Sequence, residues 1–146
     1  MINLYNGSIT FESNAIILSN ELNKKEFLIK CPQDRILNIH DMNNGYVWYK
    51  LKEQLYRNEH NMIVSMCFAP SNSLFCIHIY PLFDDCLNKS WKDASYEQMQ
   101  KEKEYCDYIL LKYCNLTAES HKFPWGIIVA EADNRNLCSS IIINYN

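Results

Sequence analysis

Two runs of alternating residues, MIVSMCF (Met62–Phe68) and LFCIHIY (Leu74–Tyr80), flank the linker Ala69-Pro70-Ser71-Asn72-Ser73. β-Branched and aromatic residues at every second position suit a pleated strand with one covered face, and a short proline-containing linker suits a reversal. An antiparallel hairpin is the reading, with Phe75, Ile77 and Ile79 on one face of its second strand and Cys76, His78 and Tyr80 on the other. A chain carrying this unit needs a layer to cover the apolar face, which brings in the helical patterns.

The longest of these is SYEQMQKEKEYCDYILLKYC, from Ser95. Met99, Cys106, Ile109, Leu110 and Tyr113 form an inward stripe, while Glu97, Lys101, Glu104 and Lys112 face water. Ser95 followed by Gln98 fits a capping box, Asp93 is a second candidate cap, and Glu97 with Lys101 is an i,i+4 pair. A first helix is expected from Asn43-Asn44 through VWYKLKEQLYR, because Val47, Leu51 and Leu55 recur every four residues beside Trp48. Upstream, ITFESNAIILSNELNKKEFLIKC reads as short strands carrying Ile9, Phe11, Phe27 and Ile29, with a turn at Asn20–Lys25, and Ile36 and Ile39 suit a further extended piece. At the end, Pro124 opens a strand over Trp125–Ala130, Asp133–Asn136 turns, and Ser139–Tyr145 returns with Ile141, Ile143 and Tyr145 on one face. The expectation is one α+β domain over 1–146: a mainly antiparallel sheet, two principal helices and a C-terminal β-hairpin.

The 146 residues suffice for a core without metal or disulfide staples. A formal charge of −3 gives no basic footprint, so nucleic acid is not an expected partner, although a regulatory domain with a locally basic patch stays open. The opening MINLYNGSITFES has neither a positive n-region nor an apolar h-region, and no apolar run approaches membrane-spanning length. A cytoplasmic protein without membrane contact is expected. The seven cysteines are odd in number and contain no CxxC, which suits reduced, buried thiols.

Chemistry-bearing patterns are few. A Cys/His pair in a small enzyme is conceivable from seven cysteines and four histidines, but no cysteine stands at a strand-to-helix elbow. His78, between two isoleucines, reads first as a hydrogen-bonded, half-buried residue. No spacing completes a metal set, and three glycines cannot write a dinucleotide or phosphate loop, so no metal or cofactor is expected. Asp84-Asp85 and Glu131 with Asp133 read as solvated turns or as a negative patch for a basic partner. Trp48 reads as core on its helix, whereas Trp91, in the polar run NKSWKD, is the aromatic least explained by packing.

The closing segment carries a resemblance. FPWG, an apolar strand, a D-x-R turn and SIIINY are similar to the closing hairpin of several immunity proteins of bacterial polymorphic toxin systems, contact-dependent growth-inhibition immunity proteins among them. Trp125, Gly126, Asp133, Ile141, Ile143 and Tyr145 carry it. The resemblance implies stoichiometric, non-catalytic inhibition of a cognate toxin domain, often a nuclease with a basic cleft, by acidic side chains around aromatic anchors. The residues put forward for that contact are Asp84, Asp85, Trp91 and Asp93 before the second helix, with Glu131 and Asp133 at the hairpin turn. A small cytosolic enzyme using a Cys/His pair and a ligand-binding regulatory domain are the alternative readings.

Overall fold

The computed structural model describes residues 1–83 and 94–146. Its centre is a seven-stranded, wholly antiparallel sheet in the order β3 (Ile36–Asp41), β4 (Val47–Gln54), β5 (Asn61–Phe68), β6 (Leu74–Pro81), β9 (Cys138–Tyr145), β8 (Gly126–Asp133) and β7 (His121–Phe123). A two-stranded ribbon, β1 (Ile9–Thr10) with β2 (Ile17–Leu18), precedes it, together with α1 (Lys24–Lys30). The long helix α2 (Tyr96–Cys114) connects the β6 side to the closing strands. The expected α+β class therefore holds, with two helices and a C-terminal hairpin. No described helix is long and apolar enough to cross a membrane.

The β5–β6 hairpin forms as its alternation dictates, with Met66 opposite Ile77 and Val64 opposite Ile79. One detail departs from expectation: Phe75 does not share the face of Ile77 and Ile79. The register slips between Cys67 and Phe68, so Phe68 pairs with Leu74. The extra residue lets Leu74 pack inward and leaves Phe75 exposed against Tyr46, which is how a bulge re-aims a side chain.

Where a first helix was expected over Asn43–Arg57, the chain forms strand β4, Val47–Gln54, between turns. Val47, Tyr49, Leu51 and Glu53 point into the core, while the residues between them point outward. A four-residue spacing is an even number and keeps Val47 and Leu51 on one face of a strand as well as of a helix. The ladder to β5 decides, running unbroken from Val47 opposite Phe68 to Gln54 opposite Asn61.

The short helix lies instead where a turn and a strand were expected. Asn23 caps α1, its Oδ1 accepting from the Glu26 N–H at 2.8 Å. Phe27 alone anchors the helix, packing edge-on to Tyr49 and tilted against Phe68, whereas Ile29 is exposed.

The helix α2 begins at Ser95, whose hydroxyl accepts from the Gln98 N–H at 3.0 Å, and buries Met99, Cys106, Ile109 and Leu110. It also buries Glu102, which the apolar stripe did not foretell. That carboxylate accepts from the Ser139 N–H at 2.9 Å and the Ser139 hydroxyl donates to the Met99 carbonyl at 2.8 Å, tying the helix to the start of β9.

The closing segment differs by one turn from expectation. Pro124 does not open a strand: Pro124 and Trp125 are the two-residue turn between β7 and β8. Ile141, Ile143 and Tyr145 do share a buried face.

Candidate functional site

Sheet parity sorts the side chains into two faces. Tyr49, Met66, Ile77, Ile143 and Ile128 follow one another across five strands on the face carrying both helices. On the opposite face the equivalent row runs His40, Trp48, Cys67, Cys76, Asn144 and Ile127. No described helix covers that second face.

Its centre is aromatic. Trp48 meets His78 edge-on at 5.4 Å between ring centroids, and His78 Nδ1 lies 3.1 Å from the Tyr80 hydroxyl. Beneath them Ser65, Cys67, Cys76 and Ser140 are buried as a floor of small side chains. Two adjoining hollows share His78, Tyr80 and Asp133: one of about 280 Å³ towards Glu131 and Ser140, the other of about 440 Å³ towards Trp48, Lys50 and Met42.

The ionisation states follow from burial. His78 is held below the usual histidine value by desolvation, against the opposing pull of Glu131 and Asp133, so its ring is neutral at pH 7. Burial also pushes the Tyr80 hydroxyl upward, keeping it protonated. Burial raises the Cys76 thiol to about 12, so it stays a thiol beside His78 and makes a poor nucleophile. Among the described residues no three His, Cys, Asp or Glu side chains gather as metal ligands.

Of the residues put forward from the sequence, Glu131 and Asp133 stand together on β8, on the edge of the smaller hollow. Asp133 shapes the turn, its Oδ1 accepting from the Arg135 and Asn136 N–H groups and its Oδ2 from the Asn136 amide at 2.6 Å. Those bonds, the Asn136 side chain first, hold its carboxyl below the ordinary range. Asp84, Asp85, Trp91 and Asp93 lie outside the described residues. Trp48 and Lys50 are additions to the site. Reading β4 as a helix hid them; alternation puts both on one face of β4, and the register through β5 to β6 brings that face to His78.

A second polar constellation lies at the β4–β5 turn. Glu59 Oε1 accepts from Tyr108, Tyr113 and Lys112, at 3.0, 2.8 and 2.9 Å, and Oε2 from Tyr105 at 2.9 Å. Desolvation disfavours its charge, but the bonds from Lys112, Tyr113, Tyr105 and Tyr108 together outweigh it and hold the carboxyl at about 2. All four of these donors come from α2, which makes this a clamp between turn and helix.

An aromatic sheet face with a neutral histidine, a protonated tyrosine and charges of both signs beside them is suited to recognising another protein. No family model matches the chain, and no curated protein matches its sequence. Among solved structures, the chain is similar to a chain of the complex described as Rhs1-CT in complex with cognate immunity protein RhsI1. The similarity has a TM-score of 0.61 at 14% identity and spans 99% of this chain and 86% of that one. The two chains share a fold.

Proposed function

We propose that this protein is a toxin immunity protein, which binds the toxic C-terminal domain of a cognate secreted bacterial toxin and neutralises it by stoichiometric contact. The observation carrying the reading is the fold likeness over 99% of the chain to a chain of a complex between an Rhs C-terminal domain and its immunity protein. The closing hairpin, similar to that of polymorphic-toxin immunity proteins, points the same way independently. The contact-dependent growth-inhibition type and a nuclease as the target are the finer form of the proposal, with the cytoplasm as the place of action. A non-catalytic role accords with the thiol chemistry, since Cys76, the cysteine nearest His78 in the chain, is held protonated by burial.

The test is co-expression with the C-terminal domain encoded by the adjacent toxin gene. The chain alone should leave host cells growing normally, the toxin domain alone should arrest them, and both together should restore growth and co-purify at a fixed ratio. Arrest by the chain alone, or continued arrest with both present, would refute the reading for that pair.

A further inference from the structure

We infer that the helix-free sheet face is the surface on which the toxin domain docks, with a basic group of the toxin beside Glu131 and an acidic group beside Lys50. The inference rests on the immunity reading and adds to it the face and the chemistry of the partner.

Three observations support it. First, the face has the anatomy of a contact centre. Trp48, His78 and Tyr80 form a continuous aromatic patch over a closed floor, and Trp with Tyr is the composition that anchors protein interfaces.

Second, the centre can be dried without burying charge. His78 is neutral and already hydrogen-bonded to Tyr80, so a covering partner leaves no ionised group without solvent or counter-charge. Among the described residues lining the two hollows, the formally charged groups are Glu131 and Asp133 on β8 and Lys50 on β4.

Third, the charges on those two strands are of opposite sign. Glu131 and Asp133 border the smaller hollow, and no cationic side chain among the described residues lines it. Asp133 is engaged by its own turn, whereas Glu131 is exposed and forms no ion pair among the described residues. Lys50, across the sheet in the larger hollow, is exposed and likewise has no ion pair among the described residues. A partner complementary to this face presents a cation at the β8 end, an anion at the β4 end and an apolar or aromatic surface between them.

The experiment measures binding of the adjacent gene's toxin domain to purified wild type and four variants. Trp48→Ala should weaken binding at least about 30-fold. Glu131→Lys and Lys50→Glu should each weaken it about tenfold and change its salt dependence. Leu111→Glu, on the solvent side of α2, should change it less than about threefold. Urea midpoints near wild type for the exposed-site variants separate lost contact from lost folding.

If Leu111→Glu abolishes binding while the sheet-face variants bind as wild type, the docking face is wrong and the immunity reading stands. If wild type neither binds nor protects, both fall. If wild type alone is a dimer that Trp48→Ala dissociates, the face joins two copies of the chain and the inference is overturned.

Discussion

The Tyr145 hydroxyl donates to the Gly7 carbonyl at 2.8 Å, joining the last strand to the first loop across nearly the whole chain. Trp125 reinforces the tie, its Nε1 donating to the Leu4 carbonyl at 2.8 Å while its ring stacks on Phe123. Gly7 is what permits this closeness. Its φ is +71°, and a Cβ there would stand 2.4 Å from Trp125 Cδ2. The ring is fixed by its stack and its hydrogen bond, so it cannot step aside cheaply. Gly7→Ala should therefore destabilise the fold by about 2–4 kcal/mol, combining overpacking with left-handed strain, read as a lower urea midpoint. Tyr145→Phe should cost only about 1 kcal/mol by the same measurement.

Glu59 makes the acid limb of stability specific. Its carboxyl is held at about 2 against an ordinary value of 4.5. A depressed carboxyl contributes stability that is fully present above the unfolded value and lost as pH falls through the folded one. The clamp should thus weaken between about pH 4.5 and pH 2, and Glu59→Gln should flatten that part of the stability profile. At pH 7 the substitution should cost about 1–2 kcal/mol, allowing for solvent screening at the turn, measured by urea titration.

How much of this was legible depends on which period each segment obeys. The β5–β6 hairpin and α2 were readable because each pattern favours one period: alternation in the first, interrupted by the bulge that re-aims Phe75, and a Met99–Cys106–Ile109–Leu110 stripe under a Ser95 cap in the second. Strand β4 was not, since Val47, Leu51 and Leu55 satisfy both periods and only pairing with β5 breaks the tie. Helix α1 offered no stripe, because Phe27 is buried while Leu28 and Ile29 are exposed. Its one local signal was Asn23 followed by Glu26, a capping pattern. For the candidate site, the shared face of His78 and Tyr80 could be read from alternation. Trp48 joining them could not, because adjacency across strands is a property of register. The Glu59 clamp has the same origin: Tyr105, Tyr108 and Lys112 are close in the helix, but nothing local names their partner in a distant turn.

The cysteines should separate sharply in reactivity. Cys31, Cys67, Cys76, Cys106 and Cys114 are buried and free, and burial raises their thiols above the ordinary value. Cys138 is the one of the six described cysteines with intermediate exposure. Limited alkylation of the native protein at pH 7.5, mapped by mass spectrometry, should modify Cys138 well ahead of the other five. Rapid modification of Cys76 would contradict the packing of the sheet-face floor and reopen a nucleophilic role beside His78.

Gly126 is the most sensitive point of the closing hairpin. It pairs with Tyr145 at the start of β8, directly after the Pro124-Trp125 turn, with φ at +154°. A Cβ there would lie 2.0 Å from the Asn144 carbonyl oxygen and 3.1 Å from Tyr145 Cα. Both obstacles are main chain, so relief requires strand β9 to move off β8, taking Tyr145 away from Gly7. Gly126→Ala should accordingly cost more than Gly7→Ala, about 4 kcal/mol or greater, because no side-chain rotation can absorb the clash. Amide exchange should locate the damage, with protection falling first along β8 and β9 while β4 and β5 keep theirs. Uniform loss across the sheet would mean that the hairpin and the central strands unfold as one unit.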